Sequence, residues 1–144
     1  MKALLINPPY SRLRGTKECT EMIAPLGLSF LCARVEREGY EAVLYDANYS
    51  SHERRSRFNR LGDLFGGYGS YSQNLDGDGG GVWKEVEDRI AAEGPDIIGV
   101  SVLSPVRGAA LKVAEAGRRA APGAKIVFGG FHPTCEPEDV LGGG

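Results

Sequence analysis

Apolar positions along this chain fall into two rhythms. Short uninterrupted runs at Ala3–Ile6, Ala42–Tyr45, Ile97–Val102 and Lys125–Phe128 predict strands packed into a sheet. Between them apolar residues recur at helical spacing. Leu28, Leu31, Cys32 and Val35 follow i, i+3, i+4, i+7 after Pro25, which a first helical turn tolerates, and Gly39 is placed to end that helix. Trp83, Val86 and Ile90 mark another helix, closed by Gly94-Pro95. Ser104-Pro105 reads as a cap followed by a first-turn proline. Beyond it Val106, Ala109, Ala110, Val113, Ala114 and Gly117 make a small-residue face suited to close packing on a sheet. Residues 51–81 break the rhythm as an insertion rich in Gly, Tyr and Arg. Phe58, Leu61, Leu64 and Phe65 predict one short amphipathic helix there, and "GGYGSYSQNLDGDGGG" is too glycine-rich to belong to a core.

Strands alternating with helices specify a parallel sheet covered on both faces. The expected architecture is a doubly wound, flavodoxin-like (Rossmann-like) α/β fold with strand order 2-1-3-4. Its switch point lies between strands 1 and 3, so ligand-binding residues should follow the strand ends. Those positions are Asn7-Pro8-Pro9, Asp46, Ser101–Pro105 and Gly129–Thr134. The chain stops near Leu141 in what reads as the first turn of another helix. Four strands without a fifth suggest a piece of something longer, with residues 1–144 forming one domain.

Composition narrows the chemistry. Apolar residues make up 42% and charged residues 25%, as in ordinary globular chains, and the formal net charge of −2 gives no drive toward nucleic acid or an anionic membrane. No apolar run approaches the roughly 20 residues of a membrane span. Cys19, Cys32 and Cys135 are odd in number and widely spaced, which reads as reduced thiols in a cytoplasmic protein. The arginines of "RRSRFNR" read as a solvated helix face. Gly66–Tyr71 reads as a lid, a docking surface or disorder.

A nicotinamide site would need G-x-G-x-x-G after the first strand, and the chain has two prolines there. Asp46 ends the second strand as a ribose-binding acid would, but without the glycine loop a solvated strand-end acid explains it. A phospho-receiver would need acids after the first strand, and these are absent. The stretch "VFGGFHPT" says more. Paired glycines after a buried strand let another molecule lie against the backbone, although a tight turn explains a lone pair as well.

Read together, "SVL" (Ser101, Val102, Leu103) and Gly129-Gly130 resemble the latter two-thirds of a cobalamin-binding fingerprint. The first third, Asp-x-His-x-x-Gly, is replaced by Asn7-Pro8-Pro9-Tyr10-Ser11-Arg12, which removes the histidine expected beneath cobalt. With "APLGLSFLCARVEREGYEAVLYDAN", "GPDIIGVSVLS" and "PGAKIVFGGFHPTCEPEDV", the chain resembles the N-terminal cobalamin-binding domain of cobalamin-dependent radical S-adenosylmethionine enzymes, often methyltransferases. The resemblance implies cobalamin bound base-off. Asn7, Pro8, Pro9 and Tyr10 would wall the corrin's lower face, and Leu26 and Gly27 lie in the matching P-L-G-L. Ser101 and Ser104 would meet the nucleotide tail, and Gly129 and Gly130 would let the displaced base slide past. Phe131, His132, Pro133 and Thr134 complete the matching loop, with His132 either hydrogen-bonding tail or propionamide groups or serving a purely structural role, and Thr134 capping the last helix. The acids Glu136, Glu138 and Asp139 read as complementing that helix's dipole. S-adenosylmethionine and an iron–sulfur cluster are expected only in a C-terminal radical domain beyond residue 144. The alternatives are a stand-alone corrinoid carrier or sensor, or a flavodoxin-like interaction domain with no cofactor.

Overall fold

The structure, a computed structural model, describes residues 1–14, 25–49 and 61–142. Strands β1 (Lys2–Asn7), β2 (Glu41–Asp46), β3 (Ile97–Ser101) and β4 (Lys125–Gly129) form one parallel sheet in the order β2-β1-β3-β4. The expected topology is therefore the observed one. Helices α1 (Leu26–Arg37), α2 (Leu61–Asp76), α3 (Val82–Glu93) and α4 (Arg107–Ala120) lie between strands, and short α5 (Phe131–Cys135) and α6 (Pro137–Leu141) follow β4.

The pleat sends successive side chains to opposite faces. Leu4, Ile6, Ile98 and Val100 join Val86 and Ile90 of α3 and Ala110 and Val113 of α4 in the main core. Gly117 lets α4 lie close on the sheet, since a Cβ there would stand 2.9 Å from Ile98 Cδ1. Ala3, Leu5, Ile97, Gly99 and Val127 take the other face, opposite α1. That face is only partly covered. Of the α1 stripe expected to pack inward, Leu28 is buried and Cys32 and Val35 are half-buried, whereas Leu31 is 53% exposed.

The glycine-rich stretch corrects the expectation drawn from its composition. It is helical through Asp76, and Tyr71 is buried in the core cluster. The Tyr71 ring packs 5.4 Å from Tyr10, and its hydroxyl accepts the Ala109 N–H at 3.3 Å. Asn74 Nδ2 donates to Leu13 O at 2.7 Å, and the Trp83 indole donates to Asn74 O at 3.0 Å. Gly67 makes room for Arg14, whose Nε stands 2.8 Å from where a Cβ would be. Aromatic burial and side-chain hydrogen bonds thus replace the apolar stripe that glycines cannot supply. Phe58, the arginine run and Cys19 lie outside the described residues.

Ser104 is also placed differently from its expected cap. Ser104–Val106 form a 3₁₀ turn, α4 begins at Arg107, and no side-chain cap bond comes from Ser104.

Tyr71→Phe removes the acceptor for Ala109 and should cost about 1 kcal/mol. Tyr71→Ala also opens a cavity and should cost about 3 kcal/mol or more. Urea denaturation of both variants, at unchanged m-value, measures the two steps.

Candidate cofactor cavity

The half-covered face of the sheet and α1 enclose a cavity of about 360 Å³. Leu5, Ile97, Gly99 and Val127 make its floor, Gly27, Leu28, Leu31 and Val35 its wall. Ser101, Gly129 and Gly130, at the C-terminal ends of β3 and β4, make its mouth, and Ser101 has the one polar side chain among the described lining residues. Gly99 sets the floor's shape, because a Cβ there would stand 2.6 Å from Leu5 Cδ2. Leu5 lies over the strand in the space that Cβ would take.

The two mouth glycines do different things. A Cβ on Gly129 would meet nothing within 4 Å, so a side chain there would project into open space. Gly130 has φ +110° and ψ −169°, a region essentially reserved for glycine, and its Cβ would stand 2.9 Å from Val102 O. Around it the two loops grip each other through the backbone. The Val102 N–H donates to Gly129 O at 2.7 Å, and the His132 N–H donates to Val102 O at 3.1 Å.

A side-chain clasp reinforces this grip. His132 is 9% exposed, with Nδ1 3.1 Å from Ser104 Oγ and Nε2 2.9 Å from Asp139 Oδ2. Arg107 pairs with the same carboxylate and donates from Nη2 to Asp139 O at 2.8 Å. The Asp139 carboxyl is held below its ordinary range chiefly by the His132 hydrogen bond; desolvation opposes this, and the Arg107 charge adds to the lowering. With Asp139 ionised, Nε2 carries a proton and donates, and in the neutral ring Nδ1 accepts the Ser104 hydroxyl. Both ring nitrogens are engaged by protein.

A family model for the B12 binding domain matches residues 18–144. The chain belongs to the B12-binding domain family. Cobalamin is therefore the ligand that its membership implies. Searches of curated proteins and of solved structures gave no significant match.

Of the residues singled out from sequence, the B12-binding domain brings Gly27, Ser101, Gly129 and Gly130 together at the cavity. Val102 and His132 fix the loops behind the mouth. Leu26, Leu103 and Phe131 are exposed, and Pro133 faces a second recess with Ile126, Phe128 and Val140. Asn7 and Asp46 form a separate node between β1 and β2. Asn7 Nδ2 donates to Asp46 Oδ1 at 2.8 Å, and the Asn48 N–H donates to the same oxygen at 3.0 Å. Asn48 Oδ1 accepts the N–H groups of Tyr10 at 2.9 Å and Ser11 at 2.7 Å, so Asp46 closes a turn.

Several expected roles change. Pro8 and Pro9 are fully buried and present no wall to a ligand; the exposed parts of that loop belong to Asn7 and Tyr10. Thr134 donates to Gly130 O at 2.8 Å instead of capping a helix, and Asp139 serves the His132 clasp beyond any dipole effect. Of the two roles open to His132, the structural one takes both ring nitrogens, which engage Ser104 and Asp139.

Sequence reasoning missed the lining residues Leu5, Gly99 and Val127, for which a mid-strand glycine flanked by apolar residues was the available signal. Asn48 and Arg107 carry no local signal. Among the described residues no cluster of His, Cys, Asp and Glu could hold a metal ion, and no helix is long and apolar enough to cross a membrane. Cys32 and Cys135 are free thiols, and burial, then Glu36, pushes Cys32 up and away from thiolate reactivity.

Gly130→Ala should destabilise the domain by about 2–3 kcal/mol, whereas Gly129→Ala should leave it nearly unchanged; paired urea titrations compare them. A depressed Asp139 value makes its contribution complete above the ordinary value of 3.8 and lost as pH falls through the folded one. Asp139→Asn should accordingly flatten the fall in denaturation midpoint as the pH drops below about 3.8.

Proposed function

We propose that this B12-binding domain seats the nucleotide tail of cobalamin in the apolar cavity and leaves the cobalt without a protein nitrogen, as the cofactor unit of a radical S-adenosylmethionine enzyme of methyltransferase type. The observation that carries the cavity assignment is Gly129. Its missing side chain keeps the mouth open where a Cβ would otherwise project, while its neighbour Gly130 holds the loop in place. The volume of about 360 Å³ falls within the range of small-molecule sites. Ser101 offers the tail a hydroxyl, and Gly27 of α1 lines the cavity without a side chain.

Two features support a base-off mode. The loop after β1 carries Asn7 and Tyr10 with no imidazole, and the clasp occupies both nitrogens of His132. His52 lies outside the described residues. When bound, the corrinoid supplies an organometallic methyl group for transfer. The residues of this chain bind it, exclude water from its tail and hold its orientation. S-adenosylmethionine and the iron–sulfur cluster belong, on this proposal, to a C-terminal radical domain, which rests on the resemblance in "NPP", "APLGL" and "GGFHPT".

The purified chain mixed with hydroxocobalamin and passed through gel filtration should stay coloured, with a reduced spectrum lacking a nitrogen lower ligand. Gly129→Leu should abolish retention of colour while leaving thermal unfolding unchanged. A colourless, folded wild-type chain would favour an interaction domain without cofactor, and a nitrogen-ligated reduced spectrum would overturn the base-off mode.

A further inference from the structure

The polarity of the cavity has a consequence for which corrinoid tail it accepts. Resting on the cavity as the tail's seat, we propose that this domain selects benzimidazole-tailed corrinoids over purine-tailed ones. The floor is formed by Leu5, Ile97, Gly99 and Val127, and none of these side chains donates or accepts a hydrogen bond. The backbone of the two central strands beneath offers nothing either. β1 lies between β2 and β3, and β3 between β1 and β4, so the N–H and C=O groups of both strands are directed into the sheet's own ladders. Ser101 stands at the strand end, by the mouth.

An adenine base carries an exocyclic amine and several ring nitrogens, each hydrogen-bonded in water. Seated against this floor they lose those bonds without replacement. Dimethylbenzimidazole presents carbon edges and methyl groups in the same positions, and their burial is favourable. Discrimination here works by leaving the wrong ligand's polar atoms unpaired. The rim decides how much water can rescue a purine. Val127, at the floor's outer edge on β4, is 52% exposed and Leu31 of the wall 53%, so these two residues meet both the cavity and solvent. Because both are half-exposed, polar replacements there are compatible with folding.

The test uses the full chain and isothermal titration with two hydroxo-cobamides that share a corrin ring and differ in base, dimethylbenzimidazole or adenine. Cobinamide, which has no tail, is the third ligand. The benzimidazole form should bind about tenfold tighter than the adenine form, the scale of one uncompensated polar group. Val127→Asn, and independently Leu31→Gln, should narrow that ratio to about threefold or less by supplying a partner for the purine edge. Melting curves confirm that each variant is folded. Equal affinities for the two cobamides, or tighter binding of the adenine form, would overturn the selectivity and leave cobalamin binding standing. Cobinamide binding as tightly as either cobamide would overturn the tail's seat in the cavity. Failure of all three to bind would overturn the cobalamin reading and this inference with it.

Discussion

The alternation of side chains along β3 determines what both sides of the molecule become. β3 is flanked by β1 and β4, so its backbone is used within the sheet and its side chains divide the chain between two environments. Ile98 and Val100 point into a closed core with α3 and α4. Ile97, Gly99 and Ser101 point the other way, into a cavity that α1 only partly covers. A shift of one residue in pairing would exchange these sets, placing isoleucine and valine where the glycine now sits. The register Gly99↔Val127 is thus a structural and a functional constraint at once.

Above the sheet, polar groups are largely spent on one another. Asn7, Asp46 and Asn48 brace the turns after β1 and β2, while Ser104, His132, Asp139 and Arg107 join the segments that follow β3 and β4. Charge-assisted hydrogen bonds of this kind are the stronger ones. They hold the strand-end loops before any ligand arrives, so the mouth between Ser101 and the glycine pair is preformed. Among the described lining residues, what remains for a ligand is chiefly apolar surface and the Ser101 hydroxyl.

The sheet order and α1 were legible in the sequence because short apolar runs, a proline before a helix and a glycine after it act locally. Gly129-Gly130 was legible as a place of close approach, but its two members were not distinguishable from sequence. Telling them apart takes the φ of Gly130 and the position of Val102 O, which are tertiary facts. The prolines after β1 suggested a ligand wall because proline is rigid, yet rigidity serves equally well to turn a chain inside a core, and Pro8 and Pro9 are buried there. Glycine content argued against a helix at 66–76, and Tyr71 with its Ala109 contact overrode that propensity. The His132–Asp139 pair spans the break between two short helices, so its seven-residue separation does not mark one helix face.

Leu31 and Val127 have a consequence for the unliganded chain itself. They leave an apolar trough partly exposed on one face of the sheet, opposite the closed core. Water confined against such a surface is released when the trough is filled, which lowers the heat capacity of the system. Until then the same surface is adhesive toward any other apolar body, including another copy of the chain. Occupancy of the trough is therefore coupled to colloidal behaviour: the filled form is the less sticky one as well as the more stable one.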